Sequence, residues 1–82
     1  MATVTTHGPV KRARARSTGT IVEVWRSIDF GDEQSADWVT VCEHGSICEH
    51  ETRALALAFS AAPEEWCETG CRDAFDSRAE AV

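Results

Sequence analysis

Cys42, His44, Cys67 and Cys71 are residue types that bind metal ions, and they stand in two close pairs. The pairs are Cys42-Glu43-His44-Gly45 and Cys67-Glu68-Thr69-Gly70-Cys71. Thiolate sulfur and imidazole nitrogen are the ligands that a tetrahedral zinc ion takes, and two short pairs brought together by folding supply four of them. At a strand end, residues two apart project to the same face about 6.6 Å apart along the chain, so Cys42 and His44 can face one ion. On a helix, residues four apart share a face, so Cys67 and Cys71 can do likewise. Alternatively, a left-handed turn at Gly70 makes the second pair a knuckle. The expected cofactor is one Zn2+, with Cys42, His44, Cys67 and Cys71 as its ligands.

Other residues compete for these roles. His50 is an alternative fourth ligand in place of His44, or a helix cap, or a solvated side chain. Cys48 falls on an apolar stripe and reads as a small buried hydrophobe. His7 lies in a polar segment and reads as solvated. Trp25, Trp38 and Trp66 are expected in the core, since the chain has no tyrosine and three phenylalanines. Trp25 falls on the polar side of its strand pattern, which makes it a candidate anchor for a partner.

The elements that must position the four ligands follow from periodicity. Thr20 to Phe30 is rich in β-branched and aromatic residues, with Val22, Val24, Ile28 and Phe30 on one face and Glu23, Ser27 and Asp29 on the other. A turn-forming stretch at 31–37 leads into a second run, Trp38 to Cys42, and the two are expected to pair as a hairpin. Ser46 and Glu49 match a capping box, although Glu49 or His50 could equally begin the helix that is expected to run through Thr52, Leu55, Ala56 and Phe59. Pro63 ends that helix and can open the next, which is expected from Trp66 to Ala81 with Glu64 and Glu65 at its positive end. The expected fold class is α+β, a small zinc-stabilised β-hairpin followed by two helices.

With 82 residues, 43% hydrophobic and 27% charged, the chain has room for one small domain. Residues 1–20 carry Lys11, Arg12, Arg14 and Arg16 and no acid, a balance of +4. Residues 21–82 carry fourteen acids against four arginines, a balance of −10. The first 19 residues are expected to be a disordered basic arm, and residues 20–82 a single zinc-binding domain. A core that small seldom supplies more than ~3–5 kcal/mol, so a structural ion has a purpose. No apolar run approaches the ~20 residues of a membrane span, and the first twenty residues lack an apolar signal core. A cytoplasmic location is therefore expected, where four cysteines point to metal or free thiols in preference to disulfides.

The arrangement Trp38-Val39-Thr40-Val41-Cys42, His44-Gly45, His50-Glu51-Thr52-Arg53-Ala54-Leu55-Ala56, Pro63-Glu64-Glu65-Trp66-Cys67 and Cys71 resembles small uncharacterised zinc-binding proteins of actinobacteria and their phages. The similarity spans about residues 38–72. It implies a zinc finger-like fold, and it says almost nothing of function. Relative to the pairs usual in that family, this chain has one residue fewer in the first pair and one more in the second.

Three function classes compete. An enzyme needs an open metal position, a base and a substrate pocket, and a small folded body with four closed-site ligands offers little of these. A nucleic-acid binder would use Lys11, Arg12, Arg14 and Arg16 as polyanion contacts, against repulsion from the acidic body. The expected function is a non-enzymatic adaptor that binds a protein partner, with the nucleic-acid reading as its alternative. No small-molecule substrate and no membrane contact are expected.

Overall fold

The computed structural model describes residues 8–30 and 36–80. Four strands, β1 (Lys11–Arg14), β2 (Ile21–Arg26), β3 (Trp38–Cys42) and β4 (Ile47–His50), form one antiparallel sheet in the order β1-β2-β3-β4. Among the described residues the helices are a single turn, α1 (Ser27–Phe30), then α2 (Arg53–Ser60) and α3 (Gly70–Glu80), with a 3-10 turn at Pro63–Glu65. The fold is α+β as expected, but its β part is a four-stranded sheet and not a hairpin.

The β2–β3 pairing falls where the two β-rich runs placed it, with Val22 opposite Cys42 and Val24 opposite Thr40. Paired residues share a face of the sheet, so Val22, Val24, Thr40, Cys42 and His50 line one side, and all five are buried. Helix α2 covers that side: it touches β2, β3 and β4, buries Ala56, and stacks Phe59 on His50 at 5.1 Å between ring centres. The opposite side carries Glu23, Trp25, Val41, Ile47 and Glu49, with Val39 fully buried across from Trp25.

The sequence expectation fails in four places, each with a local cause. The strand expected to reach Phe30 ends at Arg26, because Ser27 donates its amide to the Asp37 carbonyl (3.0 Å) and its hydroxyl to the Ala36 carbonyl. Those bonds close the hairpin, the chain turns into α1, and Ile28 is left 85% exposed instead of facing the core. The helix expected through Thr52 is α2 and begins at Arg53, capped by Thr52, whose Oγ1 accepts the Leu55 amide at 3.1 Å. Ser46 is not its cap, since the Ser46 hydroxyl donates to Cys67 Sγ and residues 47–50 are strand. The last helix starts at Gly70 and not at Trp66, because Pro63 opens a 3-10 turn that holds the Trp66 and Cys67 amides on its own carbonyl. Ala81 lies outside the described residues.

The fourth correction concerns the disordered basic arm expected over residues 1–19. Within it, Lys11–Arg14 form β1, in register with β2 from Lys11 opposite Val24 to Arg14 opposite Ile21. A turn at residues 15–20 joins the two strands. Gly19 takes φ +75° there, and the buried Thr18 and Thr20 hydroxyls bond each other at 2.6 Å. Main-chain bonds to β2, and not side-chain burial, hold this strand. His7 lies outside the described residues.

Candidate metal centre

Strand β3 ends at Cys42, and the chain reverses through His44 and Gly45 into β4. Gly45 has φ +89°, a backbone region that a side chain would strain, and its amide returns to the Cys42 carbonyl at 2.9 Å. This tight reversal turns Cys42 and His44 toward the same point. The second pair arrives from the far end of the chain: Cys67 leaves the 3-10 turn, and Cys71 sits in the first turn of α3. Their relation is neither two positions on one helix face nor a left-handed knuckle, since Gly70 is not among the glycines with positive φ. Cys67 instead precedes the helix, and its carbonyl accepts the Arg72 amide (3.0 Å) while its sulfur accepts the Cys71 amide (3.4 Å).

The four ligand atoms lie within 4.8 Å of one another. Cys42 Sγ is 3.6 Å from Cys67 Sγ, and His44 Nδ1 is 3.7 Å from Cys42 Sγ and 3.4 Å from Cys71 Sγ. An ion bound tetrahedrally at about 2.3 Å to sulfur and about 2.0–2.1 Å to nitrogen would separate two sulfurs by roughly 3.8 Å and sulfur from nitrogen by roughly 3.5 Å. The observed distances match that spacing, so the four side chains could hold a single metal ion. The three cysteines are buried and His44 is exposed, which places the cluster at the rim of the core.

A second layer of groups is directed at the sulfurs. Ser46 donates its hydroxyl to Cys67 Sγ at 3.2 Å, Thr69 Oγ1 lies 3.8 Å from the same sulfur, and Thr20 Oγ1 lies 3.4 Å from Cys71 Sγ. Burial pushes the Cys67 thiol up, but the hydrogen bonds from Ser46, the Cys71 amide, Thr69 and Cys42 outweigh it and bring it down to about 6. Burial drives Cys71 the other way, to about 12, helped by its neighbours Cys67 and Cys42 against the Thr20 hydrogen bond. The Ser46 hydroxyl and the Cys71 amide, both donating to Cys67 Sγ, are placed to stabilise a thiolate there, the form that binds metal. Gly70 contributes space: a Cβ there would overlap the His44 ring.

No family model, no curated protein and no solved structure matches this chain.

Cys42, His44, Cys67 and Cys71 are thus brought together, and the other candidates are placed elsewhere. His50, the alternative ligand, is buried on β4 with Nε2 2.9 Å from Thr40 Oγ1 and its ring against Phe59, outside the cluster. Burial lowers its pKa, as befits a neutral core histidine. Cys48 is also on β4 and not on a helix stripe; it is half-buried, and burial raises its thiol against an opposing bond to the Glu49 backbone. Trp25, the candidate anchor, is half-buried: its Nε1 donates to Glu23 Oε1 (3.0 Å) and its ring meets Phe30 edge-on at 5.7 Å. Sequence reasoning missed Thr20, Ser46 and Gly70 as supporting residues. Ser46 had a signal, since it follows the Cys-x-His-Gly reversal directly, whereas Thr20 lies 51 positions from the cysteine it meets.

Of Lys11, Arg12, Arg14 and Arg16, the first three are in β1 and all four are exposed. Arg12 pairs with Glu23 at 3.2 Å, and Arg14 donates to the Gly19 carbonyl at 2.6 Å. Among the described residues, no helix is long and apolar enough to cross a membrane.

Proposed function

We propose that this chain is a non-enzymatic zinc protein, with one Zn2+ held by Cys42 Sγ, His44 Nδ1, Cys67 Sγ and Cys71 Sγ, and that the body fixed in this way is an adaptor for another protein. The observation that carries the reading is the set of four donor atoms within 4.8 Å of one another, three of whose separations match those of a tetrahedral site. Three thiols and an imidazole are soft or borderline donors, which suit zinc and are wrong for magnesium or calcium. The span leaves room for one ion and not for a multi-iron cluster. Four side-chain ligands fill a tetrahedron, which is the form of a structural site, whereas a catalytic zinc keeps a position for water or substrate.

The ion would join the end of β3 to the start of α3, elements that otherwise share little core. Among the described residues, the surfaces open to a partner include the sheet side carrying Val41 and the 47% exposed Ile47, and the outer edge of β1. Native mass spectrometry with and without a chelator, under reducing conditions, tests the reading. One zinc per chain is expected, with circular dichroism collapsing on chelation because zinc supplies an apparent ~10–16 kcal/mol to small domains. A chain that purifies with iron, or that keeps its spectrum after exhaustive chelation, would sink it.

A further inference from the structure

We propose that the outer edge of β1 is the docking edge of this adaptor, and that its occupant is an extended acidic segment of the partner, which adds to the sheet as a fifth strand beside Lys11–Arg14. The inference rests on the adaptor reading above and names its partner's chemistry; it does not depend on which metal is bound.

The first support is the phase of the β1–β2 ladder. The Ala15 amide bonds the Thr20 carbonyl at 2.8 Å, and in the register of these strands the bonded pairs then recur at Ala13 with Val22 and Lys11 with Val24. Arg12 and Arg14 fall between them, so their amides and carbonyls aim away from β2. Strand β1 is terminal in the sheet order and all four of its residues are exposed, so this row of main-chain groups is open to pairing.

Charge selects the occupant. Residues 8–20 hold four cations and no acid, and the carboxylates close by are already engaged. Glu23 takes Arg12 and Trp25, Glu43 accepts the Ile21 amide at 2.6 Å, and Glu64 accepts the Ser17 hydroxyl at 2.7 Å. Among the described residues, no carboxylate contact neutralises Lys11, Arg14 or Arg16. Opposite charges across neighbouring strands stabilise a pair and like charges oppose it, so a second copy of β1 is disfavoured and an acidic strand is favoured.

The space beside the edge fits alternating side chains. On the α2 side a cavity of about 190 Å³ is lined by Lys11, Ala13, Arg14, Arg16, Ser60 and Ala61. On the other side, one of about 380 Å³ is lined by Arg12, Arg14, Ile21 and Val41 together with Glu23 and Glu43, so it suits the apolar side chains of the added strand, and the acidic ones belong on the α2 side with Lys11 and Arg16. An added strand would place successive side chains into these two spaces in turn. A nucleic-acid duplex, by contrast, must bring two phosphate rows near a body whose residues 21–82 sum to −10, while an added strand lies along the basic β1 and meets the body only through its side chains.

The test uses the full-length, metal-loaded protein and a synthetic peptide of about ten residues alternating glutamate and valine, long enough for one strand. Lysine-valine and proline-interrupted peptides are controls, with a short DNA duplex as competitor. Titration followed by amide NMR should protect Arg12 and Arg14. Arg12→Pro, which removes one outward amide and leaves the inward bonds, should weaken binding by about tenfold beyond Arg12→Ala, which removes the side chain alone. Lys11→Glu with Arg16→Glu, which leaves the main chain intact, should abolish binding. Zinc content is measured on every sample: zinc retained without peptide binding overturns this inference alone, whereas loss of zinc from the unmodified protein counts against the metal reading. Equal binding by Arg12→Pro and Arg12→Ala, or tighter binding of the duplex than of the glutamate peptide, would overturn the docking edge.

Discussion

Replacing Gly70 with alanine should have opposite effects with and without metal. Gly70 opens α3 and does not use a left-handed backbone, so in open space the change should stabilise the helix by up to about 1 kcal/mol. A Cβ at this position would overlap Cγ, Cδ2 and Nε2 of His44, however, so the ring must retreat to van der Waals distance, a displacement of about 1 Å. Ligand bonds tolerate about 0.2 Å, and His44 Nδ1 already sits at ligand spacing from Cys42 and Cys71. Loss of a supporting contact around a metal ligand typically costs 10–100-fold in affinity, or about 1.4–2.7 kcal/mol. Gly70→Ala should therefore lower the melting temperature of the metal-loaded protein and leave the chelated protein unchanged or more helical. Competition with a chromogenic chelator measures the first effect and circular dichroism the second. A variant that binds zinc as tightly as the parent and melts higher would refute the reasoning.

Cys42→Ser, Cys67→Ser, Cys71→Ser and His44→Ala should each lose the ion in native mass spectrometry, whereas Cys48→Ser should keep it. His50→Ala should also retain metal but cost about 1–3 kcal/mol in denaturant melts, since the Phe59 stack goes and the Thr40 hydroxyl loses its partner. Because burial lowers the His50 pKa, the unfolded chain binds more protons than the folded one as pH falls through the ordinary histidine value of about 6.5. Stability from this residue is thus present above that pH and lost below it. With zinc in excess, the parent should lose more stability between about pH 7 and pH 5 than His50→Gln; parallel pH profiles would contradict this.

The pairing of β2 with β3 was legible because Val22, Val24 and the run from Trp38 to Cys42 combine β-branched types with burial on one face. The gathering of Cys42, His44, Cys67 and Cys71 was legible for a different reason, since few residue types can hold a metal and four of them stand in pairs. Strand β1 was not legible: Lys-Arg-Ala-Arg buries nothing and alternates nothing, and its order comes from main-chain bonds to a neighbour that side-chain patterns do not report. Ser46 misled because two jobs use the same hydroxyl. Its spacing to Glu49 suits a helix cap, and its position after Gly45 suits a thiolate, and a contact 21 positions away decided the matter. His50 was ambiguous for a related reason, because an imidazole beside Thr40 and Phe59 and an imidazole on a metal differ only in their distant neighbours.

A metal ion that joined Cys42 to Cys71 would have a mechanical consequence. With an ion in place, residues 43–70 form a closed loop containing β4 and α2, and tension applied to the two ends of the chain bypasses it. Such a pull would first peel β1 and β2 from the sheet and straighten the rest of α3, while the loop contributes no length. The 29 chain steps from Cys42 to Cys71 amount to about 100 Å of hidden extension, which is released when the metal–sulfur bonds rupture. Loaded protein would therefore lengthen in two stages and chelated protein in one, with the ion setting the force at which the second stage begins.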